Sequence, residues 1–230
     1  MIIAPCYISG CDWRYVQNIW DRWQSLNVGV LAFISSLIAL NISRYNDNKQ
    51  RERNFVAAKA FLPEALSELT GYFKLSASLL KEAWTRTKEG GVRDGTPLQT
   101  AMPALPERYK EIFSRCIEQA EPDVGEYLAK IVMRLQVHHS RLQELANSFD
   151  GEGDTIFVSG NIRSYLYKLA ELQALTSRVF PFARGMEDLN RRALDWDDYS
   201  NAFGNLSVWV DQFDDLAEFA QRDIERGSED

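Results

Sequence analysis

Four carboxylates near the C-terminus come closest to a recognisable chemistry. Asp211, Asp214, Asp215 and Glu218 are spaced to line one flank of a predicted last helix. Such a row can hold Mg²⁺ for a diphosphate reaction, the metal bridging carboxylates and phosphate oxygens. That chemistry needs a second acidic motif on a facing helix, and the sequence shows none. The row therefore reads as a solvated acidic face, or as a docking surface for a basic partner. Asp195, Asp197 and Asp198 stand at the start of the same predicted helix, where the dipole favours acids.

The other reactive residues are few. His138 and His139 are the two histidines of the chain. His138 falls between Leu135 and Leu142 on an apolar face. A metal-binding histidine on a helix wants an acid three residues back, but Leu135 stands there for His138 and Gln136 for His139. Asp150, Glu152 and Asp154 open like a calcium loop. Thr155 then takes the place of the turn glycine, and Asn161 that of the bidentate acid. Cys6, Cys11 and Cys116 are too few for a disulfide framework. Pairing of Cys6 with Cys11 stays open. Phosphate-loop, nucleophile-elbow, Cys-x-x-Cys and His-Glu-x-x-His motifs do not occur. No catalytic, metal-binding or cofactor-binding residue is assigned, no cofactor is expected, and no small-molecule substrate is identified.

The chain is built around residues 24–42, QSLNVGVLAFISSLIALNI, which carry no charge. As a helix this stretch spans roughly 28 Å, against ~30 Å for a bilayer's hydrocarbon core. Asn27 is a strongly polar side chain within it, one turn from its start. Ahead of it Asp12, Arg14, Asp21 and Arg22 cancel, and no cleavage-type small-residue site follows. A retained transmembrane helix over residues 24–43 is predicted, after a short tail over residues 1–23. Val16, Trp20 and Trp23 have helical spacing, so the helix can start early. Trp13, Tyr15, Trp20 and Trp23 crowd one boundary and Tyr45 marks the other. Arg44, Lys49, Arg51, Arg53 and Lys59 follow the stretch, while Arg14 and Arg22 precede it. That bias places the C-terminal bulk in the cytoplasm and the tail outside. Ser25, Gly29, Ala32, Ser36, Ala39 and Ser43 recur at spacings of 4, 3, 4, 3 and 4. Small stripes let helices approach in lipid, so self-association or contact with another membrane protein is expected.

Net charge is −7, unevenly spread. The segment 44–60 is basic, and the last 36 residues hold eleven acids against Arg222 and Arg226. Arg44, Lys49, Arg51 and Arg53 suit the headgroups of membrane lipid. No basic field suits nucleic acid.

Residues 44–54 read as a helical stalk. Over residues 55–226 the apolar spacing predicts a helical domain, before a tail at 227–230. Phe55, Leu62, Leu69 and Ala83 repeat in sevens, with Ser76 interrupting. Pro63 predicts a kink or break near residues 59–62, or a new helix starting there. Residues 89–106 form the longest loop, and 150–160 the second. Helices are predicted over 107–120, from Pro122 to Phe149, over 161–180 with Pro181 and Gly185 ending it, and from about Asp197 to the end. Thr155 to Ser159 is the one β-like run, too short to count. The fold class is all-α: a transmembrane helix, a stalk and a cytoplasmic bundle of about five helices.

The run WQSLNVGVLAFISSLIALNI, the stalk with Arg51 and Arg53, and AAKAFLPEALSEL with Leu62 and Pro63 resemble a group of uncharacterised single-pass inner-membrane proteins of proteobacteria. The resemblance covers residues 23–73. Asn27 and Phe33 depart from it, where smaller or aliphatic residues are expected. It implies a bacterial inner-membrane setting and no catalytic residues. The leading expectation is a non-enzymatic interaction, scaffold or regulatory module. The rivals are a membrane-tethered metal-dependent enzyme using the C-terminal carboxylates, and a stress or phage-related effector that oligomerises at the membrane.

Overall fold

The computed structural model describes residues 13–88, 96–151 and 157–227, apart from the side chains of residues 25 and 27. The expectations for Cys6, Cys11, the glycines at 90, 91 and 95, and Glu152, Asp154 and Thr155 lie outside the described residues. The chain divides into two units, Met1–Arg51 and Glu52–Asp230. The described residues form seven α-helices and one 3-10 turn, with no strand among them.

Helix α1, Trp13–Lys59, is unbroken for 47 residues. No proline falls inside it. It stops where Pro63 supplies no amide to the Lys59 carbonyl and its ring would crowd that oxygen. Residues 60 and 61 turn the chain, with the Ala60 amide donating to the Val56 carbonyl at 3.2 Å and the Phe61 amide to Ala58 at 3.2 Å. Helix α2, Leu62–Lys88, then begins with Pro63 in its first turn, where a missing donor costs little.

The second unit is a bundle in which α2 packs chiefly on α5 (Ser159–Ala183). Leu62, Leu66, Leu69, Phe73 and Leu80 of α2 are fully buried, as their helical spacing requires. Ser76 interrupts that face yet is also fully buried. Its hydroxyl donates to the Tyr72 carbonyl at 3.0 Å, so the core carries no unpaired group there. Helices α3 (Tyr109–Gln119) and α4 (Pro122–Phe149) form a tight hairpin. Pro122 opens α4, and a Cβ on Gly125 would stand 3.3 Å from the Ile117 carbonyl. The hairpin closes because position 125 has no side chain.

Two sequence expectations need correction. Pro181 does not end α5, which continues to Ala183. The end is set by Gly185, at φ +69°, whose amide donates to Phe182 while the Met186 amide donates to Pro181. The predicted last helix is in fact three pieces: α6 (Trp196–Asn205), a 3-10 turn (Val210–Gln212) and α7 (Leu216–Gly227). Ser207 adopts φ +54°, and the Val208 amide returns to the Phe203 carbonyl at 2.9 Å. That is a Schellman stop built without glycine at the left-handed position. A second left-handed residue, Asp215 at φ +58°, leads into α7.

The described part of the first loop is tied down. The Glu82 carboxylate accepts the amides of Gln99 at 2.6 Å and Thr100 at 2.7 Å. Arg86 donates to the carbonyls of Thr96 at 2.7 Å and Pro97 at 3.0 Å. Burial pushes the Glu82 carboxyl up, but the bonds from Thr100 and Gln99, with Arg86 beside them, outweigh it and leave it below its ordinary value.

Candidate functional site

The largest exposed feature is the apolar part of α1. Between Val28 and Lys59 lies an 18-residue window apolar enough to cross a membrane, and none of it is buried. Leu31, Phe33, Ile34, Leu37, Ile38 and Leu40 all stand exposed. Burial is what a core helix would show, so this is not a core helix of the chain. The helix brings Gly29, Ala32, Ser36, Ala39 and Ser43, with position 25, onto one stripe by its 3.6-residue turn. The Ser36 hydroxyl donates to the Ala32 carbonyl at 2.9 Å. A hydroxyl spent inside its own helix presents no unmet polar group outward. A Cβ on Gly29 would meet nothing within 4 Å. Arg44, Lys49, Arg51 and Arg53 continue the same helix, all exposed, and Lys49 lies over the Tyr45 ring at 6.0 Å.

The C-terminal carboxylates are not brought together on one helix. Asp211 sits in the 3-10 turn, Asp214 and Asp215 in the link that follows, and Glu218 in the first turn of α7. Asp214 pairs with Lys88 at 2.7 Å, and Asp215 with Arg163 at 3.5 Å. These two acids fasten the C-terminal link to α2 and α5. Among the described residues no group of three His, Cys, Asp or Glu side chains is placed to hold a metal. The expected acid flank is thus dispersed by the break at Ser207 and the left-handed turn at Asp215.

Asp195 and Asp198 act as helix caps. Asp195 accepts the Asp198 amide at 3.0 Å and Asp198 accepts the Asp195 amide at 3.0 Å, a reciprocal capping box. The Asp198 amide and then Arg192 hold the Asp195 carboxyl down at about 2. Asp198 also pairs with Arg178, whose side chain is 7% exposed. Arg178 further donates to the Ala193 carbonyl at 3.0 Å, fixing the α5–α6 connection. Cys116 is fully buried, and burial pushes its thiol up to about 11 despite Lys59 nearby. A thiol so protonated is a poor nucleophile.

His138 is packed, as its position between Leu135 and Leu142 predicts. It is 6% exposed and meets the Tyr72 ring edge-on at 6.2 Å. Burial, and then His139 and Arg141, push its imidazole down to about 4, so it is neutral at pH 7. Its Nε2 has no hydrogen-bond partner among the described residues. The Tyr72 hydroxyl and His139 Nδ1 share a bond of 3.0 Å across the α2–α4 contact.

A cleft that the sequence reading missed lies beside His138, between α4 and α5. It encloses about 250 Å³ and is lined by Met133, Val137, Arg141, Tyr165 and Lys168 among others. Arg134 and Lys168 share the Glu171 carboxylate there. The signal was available in part: Arg134 and Arg141 stand four before and three after His138, on one helical face. Lys168 comes from another helix, and spacing within one segment does not reveal it.

Compared with known proteins, the chain matches no family model, no curated protein and no solved structure.

Proposed function

We propose that this chain is a single-pass membrane protein whose helical bundle serves as an interaction or regulatory module. The observation that carries the reading is the apolar window of α1 between Val28 and Lys59, none of it buried. Contiguous apolar surface of that extent marks a membrane or a partner, and the length matches a bilayer. The proposed setting is a bacterial inner membrane with the bundle in the cytoplasm. Five bases after the stretch against two before it support that orientation. Residues 44–54 then form a stalk. Arg44, Lys49, Arg51 and Arg53 lie against anionic headgroups, each contributing about 1 kcal/mol near the surface. The interaction reading of the bundle is proposed beside a second fact: the acidic residues that suggested a metal reaction do not converge among the described residues.

The stripe from Ser25 to Ser43 is the proposed lateral contact, with a second copy or another membrane protein. The test is crosslinking in native membranes, then the mass of the full-length protein in mild detergent. Because Gly29 faces open space, Gly29→Leu with Ala32→Leu leaves the helix intact and blocks close approach. Expected is a homo-oligomer or a stoichiometric complex that the double substitution weakens about tenfold. Crosslinking unchanged by the substitution removes the contact, and a bare monomer removes the assembly.

A further inference from the structure

We propose that the cleft between α4 and α5 binds a small organic acid, an apolar body carrying one carboxylate, with that carboxylate held at Arg141. The inference does not depend on membrane anchorage, since the lining residues run from Met133 to Glu171 within the bundle.

Three observations carry it. The first is shape: a space of about 250 Å³ is walled by Met133, Val137 and Tyr165. Met133 and Val137 are exposed, so the wall is apolar and uncovered. The volume suits a ring or a short aliphatic chain. The second is charge. Arg134 and Lys168 share Glu171, and Lys168 also stands 3.8 Å from Asp223. Arg141 lies over the Tyr165 ring at 5.7 Å and pairs with no carboxylate among the described residues. Among the described residues Arg141 is thus the cleft's cation outside the Glu171 pairings, with Glu144 also near the Tyr165 ring. A guanidinium held on a ring presents its fork to a carboxylate in two parallel bonds. The third is His138, one helical turn before Arg141, with a buried Nε2 that lacks a partner among the described residues. Buried polar atoms in native proteins are seldom left so. Inorganic phosphate fits less well: it has no apolar body and would set a dianion beside Glu171.

With two histidines in the chain, selective ¹³C-histidine labelling of the full-length protein in zwitterionic-lipid nanodiscs gives two imidazole signals, and His139→Gln assigns them. The probe is benzoate, with inorganic phosphate as the comparison. Expected is a saturable shift of the His138 signal with benzoate and none of similar size with phosphate. Arg141→Met should weaken it roughly tenfold or more, as loss of a charge-assisted pair requires. Val137→Trp, which fills the cleft without touching a charge, should abolish it. Arg115→Met, on the exposed pair with Glu111, should leave it unchanged. Circular dichroism checks each fold, and Val137→Trp decides if Arg141→Met unfolds. No saturable shift at millimolar benzoate, or a shift surviving Val137→Trp, overturns the site. An equal response to phosphate overturns the organic acid as its ligand.

Discussion

An imidazole enclosed as His138 is must stay neutral, and that ties the stability of the bundle to pH. Its folded value is about 4, chiefly through burial, against an ordinary ~6.5 in the unfolded chain. Between those values the unfolded state binds the extra proton. Stability from this group is thus fully present above pH ~6.5 and falls as pH drops towards ~4. The linkage amounts to about 2 kcal/mol by pH ~5. His138→Leu removes the titration and the unpartnered Nε2 together. Urea unfolding at pH ~7.5 and ~5 should show the natural chain losing about 2 kcal/mol more than the variant. Equal losses would mean that His138 charges freely in the folded protein. The burial of His138 was legible from its place between Leu135 and Leu142. Its missing partner was not, because that depends on Tyr72 and the cleft, which other helices supply.

At the scale of elements, apolar spacing revealed where helices run but not where some of them stop. Tyr199, Phe203, Leu206, Val210 and Phe213 keep helical spacing straight through the break at Ser207. Leu206, Val208 and Phe213 are all buried on the irregular path, so the pattern survives without the helix. Gly204 in the last turn of α6 is the one local signal of the stop, but the left-handed position itself is held by Ser207. The acid row inferred from a single helix therefore failed with that helix. Glycines in the interior of helices divide by what surrounds them. Gly71 of α2 faces open space, so Gly71→Ala should gain about 0.5–1 kcal/mol from reduced chain entropy. Gly125 of α4 approaches the Ile117 backbone, which cannot swing aside as a side chain can. Gly125→Ala should lose about 1 kcal/mol, and thermal unfolding of the pair should show opposite signs. Equal gains at both positions would mean that the α3–α4 hairpin has slack.

For the whole molecule, the long apolar helix was the part most legible in sequence, since an uncharged run needs no tertiary information to be seen. The structure adds that the apolar window beyond Val28 has none of its residues buried. That sharpens a quantitative test of membrane insertion. Each Leu, Ile, Val or Phe at the centre of a span favours insertion by about 0.3–0.6 kcal/mol, while a Lys there costs about 2.5–3.5. Leu31 and Ile38 lie within the stretch, both exposed. Leu31→Lys with Ile38→Lys adds about 5–7 kcal/mol of cost, enough to cancel what the remaining apolar residues supply. The same two changes leave the buried core of the bundle untouched, because neither side chain belongs to it. The natural chain should stay in the pellet after alkaline carbonate washing of membranes, and the double variant should leave it. If carbonate releases the natural chain, α1 does not span a bilayer, and its exposed face must be covered by protein instead.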